Sequence, residues 1–177
     1  MAMRIAAAVP PPSTFVALFL SSDASFIVEC ARELRPAIVH LGASPDALPP
    51  KDVAILKEAL SDSLIMRTIP VFGQESVAIA HGYAKIADFL LLDSYRPSDG
   101  KIGALGVVHD WEISRRIVAE VGIPVILAGG LGPENVADAI RSVRPAGVDS
   151  KTKTDRPGSH RKDLDRVRLF HYAASAR

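Results

Sequence analysis

The sequence has a single cysteine, Cys30, among 177 residues. One thiol cannot build an intramolecular disulfide or a multi-cysteine metal site, and such sparse use fits a reducing compartment. An excess of charge is also absent, because 21 basic residues balance 20 acidic ones to a net charge of +1. The basic footprint of a nucleic-acid-binding protein is therefore lacking, and we expect no nucleic-acid partner.

Long apolar runs and nucleotide motifs are missing too. Residues 1–12 (MAMRIAAAVPPP) end in three prolines. No run approaches the roughly 20 apolar residues of a membrane helix, and the first is too interrupted for a secretory leader. No GxGxxG follows the first predicted strand and no GxxxxGK[ST] occurs. We therefore expect a cytoplasmic protein with no membrane contact.

Short apolar runs alternate with segments of helical periodicity along the whole chain. Strands are predicted at 14–20, 37–41, 64–71, 89–93, 124–128 and from 147, and helices at 23–34, 50–60, 74–84, 111–121, 133–143 and 162–174. Near-continuous apolar strands between helices predict a parallel α/β sheet in one domain over 1–177. The pattern leaves an open doubly wound sheet and a closed (β/α)₈ barrel as alternatives, and both place function at the strand carboxyl ends.

The segment 125–136 (VILAGGLGPENV) is the most informative candidate site. Gly129 and Gly130 follow a buried strand and precede a helix, so their backbone can approach a phosphate at a helix N-terminus. A tight strand-to-helix turn is the alternative. A second candidate is the run from Ser150 to His160, which could bind phosphate through Lys151, Lys153 or backbone N–H groups; a solvated loop is the alternative.

Four further side chains are notable for their positions. Asp110 opens a predicted helix, where it either caps the helix or works as a general acid or base. Asp93 ends a strand, where it orients a ligand or holds a loop. Arg67 lies inside an apolar strand and is expected to face a cavity or a carboxylate partner. Cys30 lies on an apolar helix face and is predicted to be a core residue.

Four motifs occur in a fixed order: LLLDS, GxxGxxHDW, PVILAGGLGPENVADAI and RPAGVDS. Together they resemble the phosphoribosylanthranilate isomerase family of tryptophan biosynthesis, best over 89–149 and in register over 15–71. The resemblance implies a TIM (β/α)₈-barrel and an Amadori rearrangement of an aminoaldose phosphate, an intramolecular oxidoreduction that needs no cofactor and no metal. A phosphorylated sugar is the implied small-molecule partner.

The resemblance also implies roles for individual residues. Asp110 matches the family's general acid, and Gly129 and Gly130 match its phosphate-binding turn. Residues 150–153 lie where the second phosphate loop of the family falls, although Lys151, Thr152 and Lys153 replace its usual serine–serine–glycine.

One expected segment has no counterpart. The family opens with a strand like KICGI whose cysteine is the general base, whereas the first strand here, TFVALFL, resembles the family's third. At roughly 30 residues per β/α unit the chain supplies about six units. We therefore expect a barrel truncated at its N-terminus, with exposed sheet edges that a homo-oligomer could cover.

Three functions stay open at this point. The first is a phosphoribosylanthranilate isomerase, or a remnant of one, since the absent cysteine argues against turnover. The second is a non-catalytic phosphosugar-binding or interaction module that keeps the Gly129–Gly130 site. The third is a divergent barrel enzyme for another phosphorylated sugar, with Arg67 or His40 in a new role.

Overall fold

Six parallel strands alternate with helices in the computed structural model, which describes residues 2–176. The parallel strands are β1 Val16–Phe19, β2 Ile38–Leu41, β3 Leu64–Val71, β4 Phe89–Arg96, β6 Val125–Leu127 and β7 Gly147–Val148, and β5 Lys101–Ile102 pairs antiparallel with β4. The helices are α1 Ala2–Ala6, α2 Ala24–Leu34, α3 Pro50–Ala59, α4 Glu75–Ala84, α5 Trp111–Glu120, α6 Val136–Val143 and α7 Leu164–Ser175, and a 3₁₀ turn covers Thr152–Thr154. The predicted α/β organisation with about six β/α units is confirmed.

The strands follow one another in the order β1-β2-β3-β4-β6-β7. Neighbouring strands are consecutive in the chain, apart from the small β5, so each helix crosses over between adjacent strands. In residues 2–176, β1 pairs only with β2 and β7 pairs only with β6. The sheet therefore has two open edges.

The two faces of the sheet differ in what covers them. The main core lies on the face that packs against the helices, and it includes Phe19, Leu41 and Leu92 from the strands and Ile27 and Ile117 from the helices. The opposite face, which we call the helix-free face, carries a small cluster of strand residues only: Met66, Leu91 and Ala128, with Ile38, Phe89 and Ile126 beside them. Residues two apart on a strand share a face, so strand alternation assigns each side chain to one of the two layers.

Aspartates at the helix starts determine where several helices begin. The carboxylates of Asp23, Asp110 and Asp163 accept backbone N–H hydrogen bonds at the starts of α2, α5 and α7. In α2 the buried Ile27 faces the core and the partly exposed Cys30 packs against it, which confirms Cys30 as a core residue. No helix in residues 2–176 is both long enough and apolar enough to span a membrane.

The structure differs from the sequence expectation at some boundaries. Residues 2–6 of the proline-ended run form α1, while Met1 lies outside the described residues. Strand β4 extends to Arg96 because Tyr95 and Arg96 pair with β5 in a short hairpin. Helix α6 begins only at Val136, because the Asn135 side chain bonds the backbone N–H of Gly132 and holds the preceding residues in a turn.

Candidate functional site

The carboxyl ends of β4, β6 and β7 meet around a small cavity. Its lining residues are Asp93, Ala104, Gly106, Gly129, Gly130, Leu131, Asp149, Ser150, Lys151, Thr152 and Lys153. The structure thus brings together Asp93, both glycines and all four residues of 150–153 that the sequence singled out. The cavity holds about 20 Å³, room for one water, since Ala104 and Gly106 of the loop after β5 lie over it.

The two glycines are required by both conformation and space. Gly129 and Gly130 have φ of 81° and 65°, a region that side chains disfavour. A methyl group on Gly129 would lie 2.5 Å from Ser94 Oγ and 2.6 Å from His109 Nδ1. On Gly130 it would lie 2.5 Å from the carbonyl carbon of Val107. The turn therefore lies directly against the loop that covers the cavity.

The turn leads into α6 with backbone N–H groups near the cavity. The Asn135 amide closes the turn, since its Oδ1 accepts from Gly132 N at 2.8 Å and its Nδ2 donates to the Gly130 carbonyl at 3.2 Å. The first N–H groups of α6 have no partner within the helix. A helix N-terminus behind paired glycines is a favourable place for a phosphate.

The loop after β7 supplies the cations of the cavity, and they differ in their partners. Lys151 Nζ lies 2.8 Å from a carboxylate oxygen of Asp155, and Lys162 Nζ lies 2.9 Å from the other. The Asp155 side chain is only 4% exposed, and the two lysines hold its pKa below its ordinary value. Lys153 forms no such ion pair in residues 2–176, so it is the more available cation for a bound anion.

Two carboxyl groups, those of Asp93 and Asp149, line the same cavity. Burial raises the pKa of Asp93 to about 6, and the charge of Asp149 adds to that rise. Asp149 is exposed in part, yet desolvation by the surrounding protein raises its pKa, against the opposing effect of Lys162. The sequence reasoning did not select Asp149 as a site residue. Its place directly before Ser150, at the end of the last strand, was the available signal.

Asp110 occupies the start of α5, outside the lining of the cavity. Its side chain is exposed, and its Oδ1 accepts from the backbone N–H of Glu112 at 2.9 Å. The adjacent His109 is turned inward, with Nε2 2.8 Å from Ser114 Oγ and Nδ1 against Gly129. Burial lowers the pKa of His109 to about 4, although the charge of Asp110 opposes this.

Arg67 lies in the core, away from the cavity, which corrects its selection as a substrate-binding residue. It is fully buried, and its Nη1 donates to the carbonyls of Leu41 and Ala43 at 2.9 and 2.8 Å. Its guanidinium carbon lies 4.6 Å from the ring centre of Tyr83 in α4. Strand alternation explains the difference, because the odd-numbered residues of β3 face the helices.

His40 lies on the helix-free face instead. Its Nε2 is 2.7 Å from Thr68 Oγ1 on the neighbouring strand. Burial lowers the pKa of His40 to about 4, and the charge of Arg67 lowers it further. Neither His40 nor Arg67 lines the cavity, which gives no support to a new role for either residue there.

Larger cavities lie elsewhere and lack the same convergence of groups. One of about 840 Å³ lies beside α1, between Arg4 and Ser13, and one of about 530 Å³ lies at the amino ends of β2 and β3. In β/α folds of this kind, ligands bind at the carboxyl ends of the strands. The position of the small cavity therefore makes it a better candidate site than the larger cavities.

Comparison with known proteins gives a consistent result. The N-(5'-phosphoribosyl)anthranilate (PRA) isomerase family matches residues 2–172. The N-(5'-phosphoribosyl)anthranilate isomerase of Methanocella arvoryzae is 35% identical over 169 residues, which is 96% of this chain and 76% of that protein. The isomerase of Haloferax volcanii is 36% identical over 173 residues, 98% of this chain and 73% of that protein.

Solved structures agree. The phosphoribosyl anthranilate isomerase of Thermotoga maritima superposes with a TM-score of 0.80 at 25% identity, covering 98% of this chain and 78% of that one. Another isomerase, solved with reduced 1-(o-carboxyphenylamino)-1-deoxyribulose 5-phosphate, gives a TM-score of 0.77 at 24% identity, covering 98% and 77%. The barrel-type fold is thereby confirmed, and the chain belongs to the phosphoribosylanthranilate isomerase family of tryptophan biosynthesis.

Proposed function

We propose that residues 1–177 form one barrel-type domain that converts N-(5'-phosphoribosyl)anthranilate into its 1-deoxyribulose 5-phosphate isomer. The observation that carries the proposal is the Gly129–Gly130 turn, which lies in a shared cavity with the loop after β7 in a chain of this family. Family membership disfavours the two alternatives, a non-catalytic phosphosugar module and an enzyme for another sugar.

The phosphate binds between the two loops in this proposal. The backbone N–H groups of Gly129, Gly130 and the start of α6 donate hydrogen bonds to it, and Lys153 supplies a positive charge. Ser150 positions the second loop, because its Oγ donates to the Leu131 carbonyl at 2.6 Å. Lys151 braces that loop through its ion pair with Asp155.

Asp110 acts as the general acid in this proposal, as its place in the HDW motif implies. It donates a proton to the ring oxygen of the ribose, which opens the ring and leaves an iminium ion at C1. The N-terminus of α5 lies at the same end of the sheet as the strand carboxyl ends, so Asp110 lies on the rim of the candidate site.

Binding requires the covering loop to move. Ligand pockets of this kind have volumes of about 300 Å³ or more, whereas the cavity here holds about 20 Å³. Residues 104–108 lie over the glycine turn, and three of the four loop residues 103–106 have positive φ. We propose that this loop lifts to admit the substrate and then excludes water.

The test is turnover by the purified chain, with Asp110→Asn as the variant. Asparagine caps a helix about as well as aspartate, so α5 and the fold are expected to persist. Loss of a general acid should lower kcat by about 10²–10⁴-fold, measured as product formed by chromatography. A wild-type chain that binds the reduced product analogue without turnover would contradict the proposal, and full activity in the variant would contradict the role of Asp110.

We also propose a cytoplasmic location and self-association. One cysteine in 177 residues suits a reducing compartment. The open β1 edge bears the exposed Leu18 and Leu20, which a second copy could cover. The isomerase of Thermotoga maritima is dimeric, although monomers of it have been generated. Sedimentation of the purified chain tests the self-association directly.

A further inference from the structure

The proposed isomerisation needs a base to remove the proton at C2 of the sugar, and the residues assigned so far do not supply it. Cys30, the single cysteine, packs on α2 against the helix-side core and lies on the other side of the sheet from the helix-free face. Two carboxyl groups line the cavity, those of Asp93 and Asp149. The proposed function has not yet used either of them.

One carboxyl oxygen of Asp93 accepts a backbone hydrogen bond, and the other is available to accept a proton. It follows Leu91 by two residues on β4, so it shares the helix-free face, at the carboxyl end of the strand. Its Oδ1 accepts from the backbone N–H of Ser94 at 2.8 Å. Its Oδ2 accepts no hydrogen bond from residues 2–176 and lies against Gly103. The orientation of the carboxyl group is therefore set while one oxygen can still take a proton.

The backbone of Gly103 packs directly against this carboxyl group. Its φ is 70°, and any Cβ there would collide with Asp93 Oδ2. Its backbone N–H donates to the Ser94 carbonyl at 2.8 Å, which ties the covering loop to β4. The glycine thus lets the closed loop cover Asp93 and exclude water from it, and the lifting of the loop that admits the substrate would also expose Oδ2.

The surroundings make Asp93 a better base than an exposed carboxylate. Desolvation raises its pKa to about 6, which brings the carboxyl group closer to the pH at which proton transfer is efficient. Asp149 is more exposed to solvent and lies nearer the cations of the following loop. Asp149, Lys151 and Lys153 are the charged groups that line the cavity with Asp93.

We propose that Asp93 is the general base of this isomerisation, an inference that rests on the proposed function. After Asp110 has protonated the ring oxygen, the Asp93 carboxylate takes the proton from C2 of the iminium. The C2–H electron pair forms the C1=C2 bond, and the C1=N π pair moves to nitrogen to give an enolamine. Asp93 then returns the proton to C1, while the C2 hydroxyl releases its proton to Asp110 and becomes the ketone. Both side chains end as they began, and no oxidant or reductant is needed.

The test compares wild type, Asp93→Asn and Asp93→Ala in the full chain. We expect kcat to fall about 10²–10⁴-fold in Asp93→Asn, while the Kd for the reduced product analogue stays within about threefold. The acidic limb of the kcat–pH profile near pH 6 should disappear in the variant. Formate should restore part of the activity of Asp93→Ala, because it supplies a carboxylate in the vacated space. A purely structural role would predict no such rescue.

Asp99→Asn is the matched control. Asp99 is exposed and belongs to the same β4–β5 hairpin, where it pairs with Arg96 and accepts the backbone N–H of Lys101, so its variant should keep wild-type kcat. If wild type turns over and Asp93→Asn keeps more than half of its kcat, Asp93 is not the base and the proposed function stands. If wild type binds the analogue without any turnover, both the base and the proposed function fail.

Discussion

The first and second halves of the sheet are built from the same β/α units but end differently. Strands β4, β6 and β7 lead into aspartates, serines and glycines that meet at one cavity. Strands β1 to β3 are followed by Leu20, Gly42 and Phe72 with no such cluster, and the helix-free face at β1 carries exposed leucines. Both halves pack against the helices through one continuous core cluster.

This difference separates the requirements of folding from those of chemistry. The helix-facing layer needs only apolar volume, and both halves provide it. The cavity needs charged groups, positive-φ glycines and a loop laid over them, and residues 93–153 bring these features together. A change in the helix-side layer should therefore alter stability in either half, whereas changes at strand ends should alter function only in the second.

The largest expected effect comes from Arg67, which belongs to the folding layer of the first half. Arg67→Ala removes the donors of the Leu41 and Ala43 carbonyls and opens a space beside Tyr83. We expect the free energy of unfolding to fall by about 3 kcal/mol in chemical denaturation. Arg67→Met keeps most of the volume and removes a buried charge, so it should lose clearly less. Equal losses would mean that the charge, and not the packing, matters.

Gly130→Ala should have the next largest effect and should lower both stability and ligand binding. The positive φ costs about 1–2 kcal/mol for an alanine, and the added methyl meets the Val107 backbone at 2.5 Å. Gly100→Ala is the matched control, because Gly100 has φ of 67° and a methyl group added there would have no atom within 4 Å. Calorimetric titration with the reduced product analogue should show lost binding for Gly130→Ala only. Retained affinity in Gly130→Ala would mean that the phosphate does not bind at this turn.

The sequence alone predicts several features of the fold and the site, and it does not predict others. The sequence predicts strand β3 at its observed bounds. It also predicts the Gly129–Gly130 turn, because a glycine pair interrupts a strong apolar pattern. The pattern could not tell which way Arg67 faces, since apolar residues occupy both faces of the strand over 64–71. The contact between Asp93 and Gly103 joins residues ten apart across a hairpin whose second strand has two residues, too short for any periodicity.

The ionisation of Asp93 should give a smaller effect that depends on pH. Because its folded-state pKa is raised to about 6, the native protein binds more protons than the unfolded chain between about pH 4 and 6. The stability that the protonated Asp93 carboxyl group contributes is thus present at low pH and is lost as pH rises through that window. Asp93→Asn should be more stable than wild type by about 1–2 kcal/mol at pH 7, after allowing for partial exposure. Denaturation at pH 4 should show little of this difference; a difference independent of pH would exclude its origin in ionisation.

The smallest effect is expected at the edge of the first half. Leu18 is 56% exposed on β1, while its neighbour Phe19 is 7% exposed and packs against Phe26 of α2. Leu18→Ser should change the free energy of unfolding by less than about 0.5 kcal/mol, whereas Phe19→Ser should cost several times as much. If chemical denaturation shows the two costs to be alike, the helix-free face at β1 is covered in solution. Sedimentation of both variants then identifies a second copy as the cover, because only Leu18→Ser would shift the protein toward monomer.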